Sequence, residues 1–575
     1  MTLLDWLVLG GTLAFITGFG IYKGRQANSI QEYLLAGRRM RWYSVTLAIM
    51  ATQASAITFL STPGQGYADG MRFVQMYLGL PLAMIGIAAV AVPIYHRLKI
   101  LTPYEYLEQR FDAKTRLLTA FLFLLQRGLA TGLTIYAPSL VLSVLLGWNL
   151  SLTILVMGGL MITYTVTGGA RAVSRTQPQQ AAVIFMGMTA AFVVLIWRLP
   201  DDVSITGALQ LAGHLGRLNP IDWTFDLQNR YNIWSGMIGG LFLALSYFGT
   251  DHSQVQRYLT GRSVAESRTG LLMNGLLKVP MQFAILLLGA LLFVFYQFNP
   301  APLFFNPVET AKVVASERRA EWLELEGQHQ RLLELRKQRA LELARAVDAG
   351  SADSAGAARQ ALATADRAVD QTRAAAARLI QEVDPEANTN DVNYVFLTFV
   401  IHYLPAGLVG LILAVVFSAS MSSTSGELAA LSAVTVVDGY RRLKGGAGEN
   451  HREVTVSRWA TLLWGGFAML FAEYAGRLGT LVEAVNILGS LFYGTILGIF
   501  LTAFFLKRVR GRAVFCAALA AEAGVIACFL LTPVSFLWYN VVGCTLVIGF
   551  ALLFHFFERH FPSKVESTSH HLNSC

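Results

Sequence analysis

Six hydroxyl-bearing residues crowd into little more than two helical turns at Ser418, Ser420, Ser422, Ser423, Thr424 and Ser425, inside the stretch FSASMSSTSGELAALSAVTVVDGYRR from Phe417 to Arg442. A dehydrated sodium ion needs about five or six oxygens, which hard cations usually take from carbonyls, hydroxyls and carboxylates. Adjacent Ser422 and Ser423, one turn beyond the Ala419 carbonyl, offer two hydroxyls and a carbonyl on one side of a helix. The missing oxygens must come from another segment, and the exposed carbonyls of an unwound helix would provide them.

The stretch LAIMATQASAITFLSTPGQGYADG is the natural partner. It places Thr52, Gln53, Ser55, Thr58, Ser61 and Thr62 within a few turns and is expected to stop at Pro63-Gly64. Polar side chains at that density are expensive in lipid unless they face a cavity or a partner. Five helices later GGLFLALSYFGTDHSQVQRYL, Gly239 to Leu259, repeats the pattern of Gly, Ser, Tyr, Asp and Gln. Two polar, breakable helices in corresponding positions of two five-helix halves point to an inverted-repeat transporter whose site lies where they unwind.

The elements that must hold these residues are membrane helices. The 575-residue chain is 54% hydrophobic and only 14% charged, with mean hydropathy +0.49, a balance that excludes an ordinary soluble globule. Thirteen apolar runs follow one another from Leu3–Ile21 to Val534–Phe556. The first lacks a basic leader and an obvious cleavage site, so it reads as a mature helix. The expected class is an all-α polytopic membrane protein of about 13 transmembrane helices, a LeuT-like five-plus-five inverted repeat with extra helices. Its organisation reads as a leading helix and link in 1–42, a first repeat half in 43–198, a loop in 199–232 and a second half in 233–506. Two peripheral helices in 507–556 and a tail in 557–575 complete it.

Net charge +9 suggests nucleic acid until its distribution is read. Alternate loops hold the cations: five Lys or Arg in 23–42, five in 97–116 and four in 506–512. The other side holds few, among them Arg217, Arg230 and Arg477. That asymmetry is the positive-inside rule and implies an outer N-terminus, a cytoplasmic C-terminus and a cell membrane, the bacterial inner membrane in particular. No nucleic-acid partner is expected.

One segment breaks the apolar pattern, the insert 299–391. From Ala311 to Glu382 it is rich in Ala, Glu, Arg, Gln and Leu around the turn DAGSADSAG, which reads as a polar helical hairpin on the outer face. Trp322, Leu325, Leu332, Leu335 and Leu343 give it one sticky side. The plainer reading is a solvated decoration and the sharper one a docking surface for a partner.

No nucleotide loop, nucleophile elbow or HExxH occurs, the histidines are scattered, and the cysteines (516, 528, 544 and 575) form no metal spacing. An enzyme is not expected, nor any cofactor beyond sodium as coupling ion.

With these pieces assembled, the chain resembles the sodium/solute symporters, which include sodium/glucose, sialic acid, iodide, monocarboxylate and multivitamin cotransporters. The matching stretches are YLLAGRRMRWYSV, SAITFLSTPGQGYADG, LTPYEYLEQRF, YTVTGGARAVSRTQPQQ, VQRYLTGRSVAES and MSSTSGELAALSAVTVVDGYR, in family order. The resemblance implies a sodium site at the carbonyls of Ala51, Ala54 and Ala419 with the hydroxyls of Ser422 and Ser423. It implies a solute lining at Gln53, Thr58, Tyr77, Tyr247, Lys278, Glu483 and Asn486. A second sodium site of some members would need an aspartate where Gln177 stands and a serine where Gly426 stands, so one sodium per cycle is expected.

Lys278 matches a sugar-contacting lysine of some members. Snorkelling to the inner interface is the plainer reading, hampered by about seven residues, roughly 10 Å, from the helix start. The motifs lean towards the iodide, monocarboxylate and vitamin branch, whereas Lys278 leans towards sugars, and Glu483 would disfavour an anion if ionised nearby. The expected function is sodium-coupled symport of a small organic solute, a sugar, polyol or monocarboxylate, into the cell by alternating access. A proton-coupled symporter of the same fold and a transporter-like membrane sensor are the alternatives.

Overall fold

In lipid, backbone N–H and C=O groups must be satisfied within the segment that carries them, so apolar runs fold as helices. The computed structural model describes residues 1–24, 38–201, 203–349, 352–444 and 450–560, and among them no strand forms. Ten helical stretches are long and apolar enough to cross a membrane. The difference from thirteen runs has a physical origin. Leu3–Phe19 and Ser235–Gly249 are short apolar helices, and Ala56–Leu98 joins two runs into one helical stretch.

Helix α1 spans Leu3–Gly24. The first broken pair is α2 (Trp42–Gln53) and α3 (Ala56–Asp69), followed by a 3-10 segment, Gly70–Tyr77. Next come α4 (Leu80–Ala89), α5 (Ala91–Leu98), α6 (Tyr104–Arg110) and α7 (Ala113–Leu146). Helix α8, Leu150–Trp197, carries two spans, Leu150–Thr167 and Gln179–Trp197. Tyr164 Oη lies 3.1 Å from Thr176 Oγ1 twelve residues on, whereas a straight helix would separate them by about 18 Å. The chain therefore bends sharply between the two spans.

After α9 (Ile205–His214) the second broken pair is α10 (Gly240–Gly249) and α11 (His252–Leu259), then α12 (Val264–Phe298). The insert forms α13 (Pro307–Val314), α14 (Arg319–Asp348) and α15 (Ala352–Val383). The run Val395–Val437 divides into α16 (Val392–Tyr403) and α17 (Leu408–Val434). Gly407 between them adopts φ 87°, a left-handed turn that suits glycine. Helices α18 (Asn450–Ala475), α19 (Leu481–Phe505), α20 (Gly511–Leu531) and α21 (Phe536–His560) complete the chain.

The expected stop at Pro63-Gly64 does not occur. Pro63 lies inside α3, and a Cβ on Gly66 or Gly289 would meet the Leu286 or Pro63 carbonyl at 2.5 and 2.2 Å. Small residues let α3 and α12 touch backbone to backbone, and that packing carries the helix past its proline. The break comes earlier, at Ala54-Ser55.

The hairpin is docked rather than free in solvent. Trp322 is buried with Leu303, Phe304, Val313, Leu379 and Ile380, and Leu343 joins the main apolar core. Leu335 is exposed. At the opposite end, Met40 and Gly261 form a parallel bridge. The Met40 N–H donates to the Thr260 carbonyl at 3.0 Å, and the Arg262 N–H donates to the Met40 carbonyl at 3.0 Å.

Candidate ion and solute site

Small residues with competing side-chain hydroxyls weaken helix continuity, and the TQASA stretch does so between α2 and α3. Ala54 takes ψ 67° and its N–H closes on the Met50 carbonyl, while Ser55 is extended. The Thr58 N–H turns to the Ser55 carbonyl at 3.0 Å, and Thr58 Oγ1 donates to the Gln53 carbonyl at 3.2 Å. Among the described residues no backbone N–H bonds the Ala51 or Ala54 carbonyl.

The residues that carry them pack beside α17. Ala54 and Ala419 share one buried cluster with Phe59, Ile285 and Val415, and Ala51, Ser422 and Ser423 are equally buried. Ser423 Oγ donates to the Ala419 carbonyl at 3.0 Å. Ser422 Oγ is buried with no hydrogen-bond partner among the described residues. A buried hydroxyl without a partner is costly, and it is an oxygen free to ligate a hard cation. Gln177, whose replacement of an aspartate bears on a second ion, has its side chain outside the described residues.

The second break is made differently. Asp251 caps α11, accepting from the Ser253 N–H at 2.8 Å and Ser253 Oγ at 2.7 Å. Its other oxygen pairs with Arg127 of α7 and accepts from Tyr493 Oη at 3.0 Å. Arg127 also pairs with Glu427 of α17 at 3.1 Å, and Glu427 accepts from Thr134 Oγ1 at 3.2 Å. One buried arginine thus ties α7, α11, α17 and α19 together. Buried charges persist only when paired and hydrogen-bonded in this way.

Between the two breaks lies a cavity of about 140 Å³. Gln53, Thr58, Tyr77, Tyr247, Lys278 and Asn486 all line it, so six of the seven positions expected around the solute meet in one place. Gln53 Nε2 donates to Asn274 Oδ1 of α12 at 3.2 Å, bracing the wall one turn from Lys278. Glu483 does not line the cavity. It accepts from Tyr231 Oη at 2.5 Å and pairs with Arg230 at 2.9 Å.

Sequence reading passed over Arg127 and Glu427, which also line the cavity. Their signal was present, since an ionisable residue inside an apolar span marks a functional site by default. Lys278 is 3% exposed. Its ammonium lies 5.9 Å from the Tyr77 ring centroid, and no carboxylate among the described residues pairs with it.

Two helix breaks flanking a polar cavity are the mark of a LeuT-like fold. A Na+-coupled sialic acid symporter, solved in a substrate-bound outward-open state, superposes with TM-score 0.74 over 96% of this chain and 98% of that one, at 22% identity. Residues 33–321 and 375–520 match the model of the sodium:solute symporter family, and the chain belongs to that family.

The human sodium/iodide cotransporter is 32% identical over 299 residues, 51% of this chain and 45% of that protein. The sodium-dependent multivitamin transporter of Oryctolagus cuniculus is 30% identical over 309 residues, 52% and 47% of the two chains. The human sodium-coupled monocarboxylate transporter 1 is 32% identical over 273 residues, 47% and 44%. The matches span about half the length of these curated relatives.

Proposed function

We propose that this protein is a sodium-coupled symporter that carries a small monocarboxylate into the cell, one sodium per cycle. The single observation behind the substrate class is Lys278, a buried ammonium on the cavity wall with no carboxylate partner among the described residues. An uncompensated buried charge is expensive, and a carboxylate solute would supply the missing partner. Of the other charges on that wall, Arg127 and Glu427 answer one another. Glu483, the acid that argued against an anion, is engaged by Arg230 and Tyr231 away from the cavity. The names of the iodide and monocarboxylate relatives lend the same direction.

Size narrows the class further. The cavity of about 140 Å³ is close to one of about 150 Å³ known to hold benzene, which suits a solute of about six non-hydrogen atoms. Sodium would bind the carbonyls of Ala51, Ala54 and Ala419 and the hydroxyls of Ser422 and Ser423. Gln53, Thr58, Tyr77, Tyr247 and Asn486 would shape the solute pocket around Lys278. The chain would lie in the cell membrane, with the N-terminus and the hairpin outside and the C-terminus in the cytoplasm.

The test is uptake into proteoliposomes under an inward sodium gradient, over propionate, lactate, pyruvate, glucose and inositol. Sodium-dependent uptake of the first three and none of the last two is expected. Sugar uptake at the carboxylate rate, or full carboxylate uptake without sodium under a pH gradient, would overturn the reading.

A further inference from the structure

A larger polar cavity than the one between the helix breaks is present. It lies under the hairpin, with a volume of about 470 Å³, walled by α14 and α15 on one side and by the ends of α3 and α12, at Tyr67 and Phe293, on the other. Tyr67 is eleven residues along α3 from Ala56, about 16 Å from the first break. Residues 322–374, which supply much of its roof, fall between the two stretches that match the family model. The shared scaffold therefore provides the floor, and an added segment provides the cover.

Two arginines of the wall each leave one donor unmet inside the protein. Arg336 is 5% exposed and gives one guanidinium nitrogen to the Tyr296 carbonyl. Its Nε has no partner, and its nearest acid, Asp366, stands 3.9 Å away. Arg217 donates to the Ala68 carbonyl and stacks 4.0 Å from the Phe293 centroid, while its buried Nε is also unpartnered. Arg373 and Asp391 close on each other at 2.9 Å and 3.0 Å and cancel. What remains on the wall is Arg217, Arg336 and Arg359 against Asp366 and Asp370, an excess of one positive charge. Guanidinium groups present paired N–H donors whose geometry matches a carboxylate, and an excess positive charge in a half-buried cavity favours an anionic ligand.

We propose that this vestibule is a second binding site for a small carboxylate, held by Arg336 and Arg217 under the hairpin and separate from the sodium-linked cavity. The ligand class rests on the monocarboxylate reading of the Lys278 cavity, while the site itself rests on the vestibule's own charges. On the outer face it captures solute before the central cavity receives it, and it does so without sodium, because none of the sodium-site oxygens lies in it.

The experiment is equilibrium dialysis of radiolabelled propionate against the full-length protein in lipid nanodiscs, with and without sodium. Wild type is expected to bind two equivalents, one in sodium only and one regardless of sodium. R336Q should weaken the sodium-independent component about tenfold or more while the sodium-dependent one persists. R336K should recover part of it, K278Q should show the converse loss, and R217Q serves as the second variant if R336Q does not fold. Absence of a sodium-independent component in wild type overturns the proposal. So does its survival in both R336Q and R217Q, or equal displacement by chloride. Loss of the sodium-dependent component alone in wild type would defeat the reading of the central cavity and leave the vestibule standing.

Discussion

Ser423 Oγ lies 3.0 Å from the Ala419 carbonyl oxygen, so two of the oxygens proposed to face sodium are already neighbours. Ser422 Oγ beside them is buried without a partner. If each hydroxyl is one of about five ligands, Ser422→Ala or Ser423→Ala should raise the sodium concentration for half-maximal uptake about 10- to 100-fold, since interactions with a charge are worth roughly 1.5–3 kcal/mol. Uptake titrated against sodium in proteoliposomes measures it. An unchanged half-saturation in both variants removes the assignment.

Lys278 gives the sharpest test of the solute class. Lys278→Gln keeps a hydrogen-bond donor and removes the charge, which should raise the half-saturating carboxylate concentration about 10- to 100-fold. Sodium affinity measured without solute should barely move, because Lys278 is not among the proposed ion ligands. Concentration series at saturating sodium separate the two effects.

One sodium ion carried with one monocarboxylate moves no net charge. Imposing an inside-negative potential of about 100 mV should therefore leave solute accumulation unchanged. A second sodium ion would add about 2.3 kcal/mol, or nearly fiftyfold in the accumulation ratio. Installing that second site by Gly426→Ser meets an obstacle, because a Cβ there would stand 2.3 Å from Arg257 Nη2, and Arg257 is buried. Gly426→Ser should lower stability by about 1–3 kcal/mol, as overpacking does, read as earlier thermal unfolding.

The hairpin's attachment depends on Trp322. Trp322→Ala removes a buried ring from the cluster with Leu303 and Ile380, at about 3–5 kcal/mol by analogy with other cores. Faster proteolysis confined to 315–385 is the expected result, with the membrane helices still protected. A hairpin as resistant as wild type would show that other contacts hold it.

Acid should loosen the same attachment. The His329 Nε2–H donates to the Ala301 carbonyl at 3.1 Å. Burial, aided by Arg373 and Arg336 and opposed by that carbonyl, pushes the imidazole down to about 4. A depressed histidine is neutral when docked, whereas the undocked side chain protonates near 6.5. The undocked state thus binds more protons between these values, and docking is full above pH 6.5 and weakens as pH falls towards 4. Hydrogen exchange in α14 from pH 7.5 to 4.5 should show rising opening, and His329→Gln should flatten the trend.

How much of this was legible depended on whether chemistry was local. TQASA and Asp251 are of residue types that favour a break and a cap, yet the break was expected at Pro63-Gly64 and no cap at Asp251 was foreseen, while the solute positions Gln53, Tyr247 and Lys278 followed from the resemblance to the family. Arg127 and Glu427 are far apart in the chain and meet only when α7 packs on α17, so their pairing was invisible. Pro63 misled because its local preference lost to the close approach of Gly66 and Gly289. The hairpin's charge pattern concealed that Trp322 and Leu343 would be buried against other segments.

The bridge between Met40 and Gly261 joins the residues just before α2 to those just after α11, at the same end of both broken helices. Two backbone hydrogen bonds, each worth about 1 kcal/mol, tie these portions together. If the chain works as the proposed symporter, parting the two broken helices on that side must break this tie first, so loosening it is expected to change the turnover rate.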